Sequence, residues 1–307
     1  MVNIGIIGAE TPMAGELIRI LINHPETDIK SLYAPLLLGR NVASIHHGLI
    51  GETSLNFTDK ININDINLLF ILKDYPILKD LLEYFKESEE ELKIISFISD
   101  DSDYQNVDKK EIGISEINRK ALVRGAKYAY LVPTLIVPSL IALIPLANFL
   151  LLNSDINIEI EAPEDILNHE EPGKLKDLLE NQIRRSQISF NDDININVSP
   201  NLHSDRGMVS KISFKNNLSL DELEKIYEGI YDDHNFTFLT HNEINIKEVE
   251  GTQKVIIYLD KPDSDTLNIY VIADSRMRGG AGDAVHVMNL FFGLHEKTGL
   301  HLKPSRF

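Results

Sequence analysis

The chain reads as an α/β protein of two domains: a parallel sheet with helices on both faces, then an α+β domain with a largely antiparallel sheet. Three observations predict this. Short apolar strands alternate with helical stretches in the first half, strand segments of the second half alternate apolar with polar residues, and a glycine turn follows the first strand. The length of 307 residues suits two domains of about 150 residues each. The division is expected near residue 150, giving 1–150 and 151–278.

Val2–Gly8 is β-rich and ends in glycine, and Pro12–His24 is amphipathic at helical spacing. Asp28–Tyr33, Asn67–Leu72, Lys93–Ile98 and Ala126–Val132 read as further strands, with a helix at Tyr75–Glu87. A long apolar helix follows Pro133–Ser139. Beyond it, Asp155–Ile160, Asp193–Val198, Val209–Phe214, Lys254–Leu259 and Leu267–Ala273 show the period of two of a sheet with one wet face. Helices are expected at Pro172–Arg185 and Leu220–Tyr231. The second opens with Ser219 and has Glu222 three residues on, the signature of a capping box. A last helix runs to Phe292 after Gly279-Gly-Ala-Gly282.

An apolar fraction of 43% supports true cores. A net charge of −17 argues against nucleic acid and anionic membranes as partners, since both repel it. The chain has no cysteine, which excludes disulfides, thiolate metal sites and thiol catalysis together. The N-terminus lacks the basic and apolar pattern of a signal peptide, and Pro133, Pro138 and Pro145 break the apolar run Leu131–Leu152. A buried crossover helix and a cytoplasmic protein are expected.

Several segments bear on chemistry. A dinucleotide turn uses glycines so that backbone N–H groups reach a pyrophosphate at a helix N-terminus. Here the segment is Gly8-Ala-Glu-Thr-Pro-Met-Ala-Gly15, with the Glu10 carboxylate beside the expected phosphate. Gly8, Thr11 and Gly15 therefore read either as a vestigial phosphate turn or as a tight turn with close helix packing. Pro12 suits the first position of a helix. Gly279, Gly280 and Gly282 admit the same two readings. In Pro200-Asn-Leu-His-Ser-Asp-Arg-Gly207, His203 is a weak candidate base, because a base needs a proton within reach. Glu161, Glu164, Asp165, Glu170 and Glu171 read as a solvated acidic edge. With His169 they fit no metal loop, so no metal is expected.

Five segments in order carry a family resemblance: Ala14–Pro25, Ile45–Glu52, Gly113-Ile-Ser-Glu-Ile-Asn-Arg119, Gly279–Leu290 and Thr298–Pro304. The chain resembles the N-acyl-gamma-glutamyl-phosphate reductases, arginine-pathway enzymes related to the aspartate-semialdehyde dehydrogenases. The resemblance implies a Rossmann-type domain, a second domain for substrate and dimerisation, and a last segment, 279–307, that packs back onto the first domain. It also implies NADP and reduction to a semialdehyde through a thioester. The family junction reads Asn-Pro-Gly-Cys-x-Pro-Thr. Matched to Pro133–Ser139, it puts Ile136 at the nucleophile, with Thr134 nearby and Ser139 in a helix-start role. In the family form of the glycine turn, Thr11 takes the middle glycine position. Asn201 takes the place of the family's base histidine, and His203 lies two residues on. Leu36, Leu37 and Leu38, with Arg40 after them, replace groups suited to a 2′-phosphate, and Ile160–Asp165 replaces the substrate loop.

These replacements imply a degenerate, non-catalytic homologue that acts as a scaffold or regulatory subunit. It would assemble with itself through the second-domain sheet, or with an active reductase. The altered turn argues against NADP binding. The alternatives are an NAD(P)-dependent oxidoreductase without thioester chemistry, or a small-molecule binding module with Leu135 and Ile136 in its cleft.

Overall fold

The computed structural model describes residues 1–87, 92–97, 110–167 and 172–304. The chain forms two compact units, Met1–Val132 with Gly280–His301, and Pro133–Gly279. The boundary expected at residue 150 falls instead at Val132–Pro133. The apolar helix after it is buried on every side by elements of the second unit.

The first unit runs β1 (Val2–Ile7), α1 (Pro12–Leu21), β2 (Thr27–Tyr33), β3 (Leu68–Ile71), α2 (Ile77–Glu87), β4 (Lys93–Ser96), β5 (Lys110–Ile112), α3 (Ser115–Val123) and β6 (Tyr128–Tyr130). The six strands form one parallel sheet in the order β2-β1-β3-β4-β6-β5. Parallel strands are covered on both faces, which is why β3 reads as the unbroken apolar run Leu-Leu-Phe-Ile. Leu78, Leu81 and Leu82 of α2 close one core with Ile7, Leu69, Ile71, Ile94 and Tyr128. The Ile98 end of the strand expected at Lys93–Ile98 lies outside the described residues.

The second unit runs α4 (Val137–Asn148), β7 (Ile156–Ala162), α5 (Glu164–Leu167), α6 (Pro172–Ser186), β8 (Ile194–Pro200), β9 (Gly207–Lys215), α7 (Leu220–Tyr231), β10 (Thr237–Thr240), β11 (Val255–Asp260) and β12 (Thr266–Asp274). Its sheet has the order β10-β11-β12-β9-β7-β8. The three central pairings are antiparallel, while β10 with β11 and β7 with β8 are parallel. Buried and exposed residues alternate without exception along β7, so one face meets the helices and the other is open. Ser219 caps α7, and the reciprocal bonds between Ser219 and Glu222 complete the expected capping box. No helix among the described residues is long and apolar enough to cross a membrane.

A proline explains how α7 docks on α4. Pro145 has no N–H, so the Ile141 carbonyl one turn earlier loses its helical donor. The Tyr231 hydroxyl donates to that carbonyl, and the Tyr227 hydroxyl donates to the next one, Ala142 O, at 2.5 Å. Both tyrosines are buried, and burial pushes the Tyr227 hydroxyl well above its ordinary pKa, keeping it a donor.

The last helix, α8 (Ala281–Phe291), belongs to the first unit and packs on α1 and α3. Every one of its residues is buried, so its polar groups must be satisfied inside. His286 Nε2 meets Glu296 Oε2 at 2.8 Å, and Arg119 of α3 pairs with the other carboxylate oxygen. Asn289 Nδ2 donates to the carbonyls of Glu296 and Thr298 at 3.0 and 2.9 Å. His24 accepts from Glu26 N–H through Nδ1, which places its proton on Nε2, 3.0 Å from Asn289 Oδ1. The Gly113–Arg119 and Thr298–Pro304 motifs thus fasten the C-terminal segment.

Two measurements test these contacts. Tyr231→Phe should cost about 1–3 kcal/mol in denaturant unfolding, because it strands a buried carbonyl. In Pro145→Ala, where the helix supplies its own donor, the same change should cost clearly less, and equal costs would contradict this account. Burial lowers the His24 pKa below 6.5 and outweighs the raising effect of Asn289. Protonation therefore opposes the native state: the His24 contribution is whole above pH 6.5 and is lost as pH falls through the depressed value. His24→Gln keeps one donor and one acceptor, and should flatten the fall in melting temperature below pH 6.5.

Candidate functional site

In an open parallel sheet, ligands bind beyond the carboxyl ends of the strands where the strand order reverses. Here that point lies between β1 and β3, because the chain passes from β1 out to β2 and returns on the other side. The β1–α1 turn and the residues after β3 meet there. Gly8 has φ +79°, and a Cβ on it would lie 2.6 Å from Lys73 Cβ and 2.9 Å from Lys73 N. A Cβ on Gly15 would lie 2.6 Å from His46 Nδ1. The space opened by each glycine is therefore filled by the chain itself.

Three backbone donors at the start of the turn are also committed. Gly8 and Ala9 N–H both donate to Tyr33 O at 3.2 Å, and Thr11 N–H donates to Gly8 O at 3.1 Å. Thr11 is the N-cap of α1: its hydroxyl donates to Gly8 O and accepts from Ala14 N–H. His46 closes the turn from the side, with Nε2–H donating to Ala9 O at 2.7 Å. Glu10 accepts from Lys73 Nζ at 2.8 Å and from Tyr75 OH at 2.7 Å, both on Oε1. Tyr75 stands edge-on to Tyr33 at the end of β2, ring centroids 5.3 Å apart. Burial raises the Glu10 pKa, but the bonds from Lys73 and Tyr75 and its own N–H outweigh that and hold it below its ordinary value. Lys73, Tyr75 and His46 carry no motif that marks them as site residues in the sequence. The position of the first two, just past the strand that neighbours β1, is the signal that could have found them.

After β2, Leu36 and Leu38 are exposed, as is Arg40, and the segment Pro35–Leu37 is a 3-10 turn. No polar cradle forms around it among the described contacts.

The remaining candidates lie in the second unit, apart from Gly280 and Gly282 of the first. Ile136 is fully buried at the end of a 3-10 turn, Thr134–Ile136, that leads into α4. The hydroxyl at this junction belongs to Thr134, which donates to the carbonyls of Ser275 at 2.8 Å and Arg278 at 2.5 Å. Gly279, with φ +68°, packs on the same residue: a Cβ there would lie 2.7 Å from Thr134 Cα. Gly280 is the N-cap of α8, and Gly282 is buried in its first turn. Ser139 does not cap α4. It lies inside the helix and shares a hydrogen bond of 2.8 Å with Ser210, both fully buried.

Asn201 braces its own loop. Its Oδ1 accepts from His203 N–H at 2.9 Å, and its Nδ2 donates to Gly207 O at 3.1 Å. The His203 side chain is exposed. Arg206 is clamped by the fully buried Asp274, with Nε 2.8 Å from Oδ2, and that carboxylate also accepts from the N–H groups of Gly251, Arg276 and Met277. Beside this loop an open groove of about 630 Å³ is lined by Glu164, Asp165, Asn201, Ser204, Asp205 and Arg276, the last paired with Asp165 at 2.7 Å. His169, Glu170 and Glu171 lie outside the described residues. Among those described, no cluster of His, Asp or Glu could hold a metal ion.

A parallel-sheet domain with a glycine turn, joined to an α+β domain, defines the semialdehyde dehydrogenase class of fold, and comparisons agree. The structure of aspartate semialdehyde dehydrogenase II complexed with ASA from Vibrio cholerae covers 95% of this chain and 98% of its own, with a TM-score of 0.67 at 13% identity. The same values hold for aspartate semialdehyde dehydrogenase with NADP from Candida albicans. Residues 3–124 match the family described as "Semialdehyde dehydrogenase, NAD binding domain". N-acetyl-gamma-glutamyl-phosphate reductases of Parabacteroides distasonis and Phocaeicola vulgatus are each 33% identical to the chain, with 100% of both partners covered. The chain belongs to the N-acetyl-gamma-glutamyl-phosphate reductase family.

Proposed function

We propose that this chain is a degenerate, non-catalytic member of its family, acting as a scaffold or regulatory subunit linked to arginine biosynthesis. The observation that carries the reading is the absence of cysteine from all 307 residues. Reduction through a thioester needs a thiolate to attack the acyl phosphate and hold the acyl group while hydride arrives. Oxygen nucleophiles at the junction do not take its place: the one proton of Thr134 is held by backbone carbonyls, and Ser139 is sealed against Ser210. The Asn201 carboxamide neither takes up nor releases a proton near neutral pH, so it cannot act as a base. Glu164, Asp165 and Asp205 set three carboxylates against Arg276 in the adjoining groove, which repels a phosphorylated acidic substrate.

With no chemistry to serve, the protein acts through its surfaces. The face of the second sheet opposite the helices carries Phe238, Ile256, Tyr258 and Tyr270 on neighbouring strands, partly or wholly exposed. Tyr258 and Tyr270 are directly paired, ring centroids 6.0 Å apart. Aromatic residues on an open face suit a two-fold contact with a second copy, and an active reductase subunit would present a related sheet.

Purified protein incubated with N-acetyl-gamma-glutamyl phosphate and NADPH should give no oxidation of NADPH above the enzyme-free blank. Ile136→Cys and Thr134→Cys should give none either, because a thiol alone restores neither base nor substrate groove. Turnover by the unaltered chain overturns the reading, and turnover by either cysteine variant overturns the claim that base and substrate groove are lost. In light scattering after size exclusion the chain should run as a dimer or larger. Tyr258→Lys with Tyr270→Lys should shift it to monomer while leaving circular dichroism unchanged, and an unshifted assembly would place the interface elsewhere.

A further inference from the structure

The family implies a dinucleotide at the β1–α1 turn, and the residues there do not fit one. We propose that Glu10 is a built-in anion that closes this turn, taking for itself the cation and the hydroxyl that a bound phosphate would otherwise meet.

Three independent features of the turn point the same way. First, a phosphate turn works by leaving backbone N–H groups free at a helix N-terminus. Here Gly8, Ala9 and Thr11 donate to carbonyls of the chain, and Pro12 has no N–H. Second, glycines in such a turn let the ligand approach where a Cβ would stand. The places opposite Gly8 and Gly15 are already taken by Lys73 and His46. Third, Lys73 and Tyr75 reach the switch point from the end of β3, and both converge on Glu10 Oε1 at 2.8 and 2.7 Å. The Lys73 side chain is half exposed, so a cation remains at the mouth of the turn, but it already has its counter-ion.

Charge makes the closure selective. The carboxylate stays ionised well into the acid range, since its pKa is held below the ordinary value. A pyrophosphate at this turn meets that fixed negative charge at close range, and must also displace it from Lys73 before gaining any attraction of its own. An uncharged ribose or base meets neither obstacle. The turn is thus closed to the anionic centre of a dinucleotide rather than to nucleosides in general.

Binding measurements on Glu10 variants separate this from simple loss of the site. The probes are NADPH, followed by its fluorescence, and inorganic pyrophosphate, followed by calorimetry. Wild type should bind neither at millimolar concentration. Glu10→Gly removes the anion and frees Lys73 and Tyr75, and should bind both with a dissociation constant at least tenfold lower than wild type. Adding Lys73→Ala should abolish the gain, which a merely loosened turn would retain. Should Glu10→Gly fold poorly by circular dichroism, Glu10→Gln keeps the side-chain shape, removes the charge and should show the same direction of change. Wild type that binds NADPH as tightly as the variants overturns the inference, as do variants that bind no better than wild type. Either result leaves the non-catalytic reading intact, because that rests on the missing thiol and is tested by turnover.

Discussion

Everything in this fold is constrained by two helices, α4 and α8, whose residues are buried almost without exception, each inside its own unit. A helix with no wet face cannot hand its polar groups to water, so the surrounding chain must satisfy them. In the second unit that requirement places Tyr227 and Tyr231 against the carbonyls near Pro145. In the first it places His24, Arg119 and Glu296 around Asn289 and His286. The candidate segments Pro133–Ser139 and Gly279–Gly282 each lead the chain into one of these helices.

Electrostatics at the two sites follow a common rule. A charge of −17 spread over the chain leaves few cations unaccompanied near the grooves. Lys73 is matched by Glu10, Arg276 by Asp165 and Arg206 by Asp274. The Arg206 pair is the firmest, because Asp274 is fully buried and also accepts three backbone N–H groups, so the guanidinium cannot leave without stranding the carboxylate. Anionic substrates and cofactors are recognised by free cations and free N–H groups. Here both kinds of group are largely turned inward.

Local chemistry made parts of this legible in the sequence, and long-range pairing hid the rest. The boundaries of α7 followed from Ser219 and Glu222, because a capping box is written in four consecutive residues. The period of two located β7, β8, β9, β11 and β12 within a few residues. β5 and β10 were missed: three and four residues are too short for a period to show. α3 is a nine-residue helix interrupted at Asn118, φ −136°, and too short for a clear apolar stripe to show. The domain boundary was misplaced because an all-apolar helix does not declare which sheet it covers. At the site, the lack of cysteine and the presence of Glu10 were plain from the sequence. The partners of Glu10 were not, since Lys73 and Tyr75 reach it only because β3 lies beside β1, a fact of topology.

The proposed loss of chemistry raises the question of what holds the scaffold to its shape. A polar side chain in a cleft has two possible clients, a ligand or the protein around it, and serving one costs affinity for the other. Thr11 caps α1, Thr134 bonds the carbonyls of Ser275 and Arg278, and Asn201 braces the loop to Gly207. Each stands at or beside a position where family chemistry would need a group presented outward, and each is used to hold the fold. Such replacements make the local structure better satisfied and less able to react. That direction accords with the proposed role, in which the chain is held to its shape and to the surfaces that shape presents.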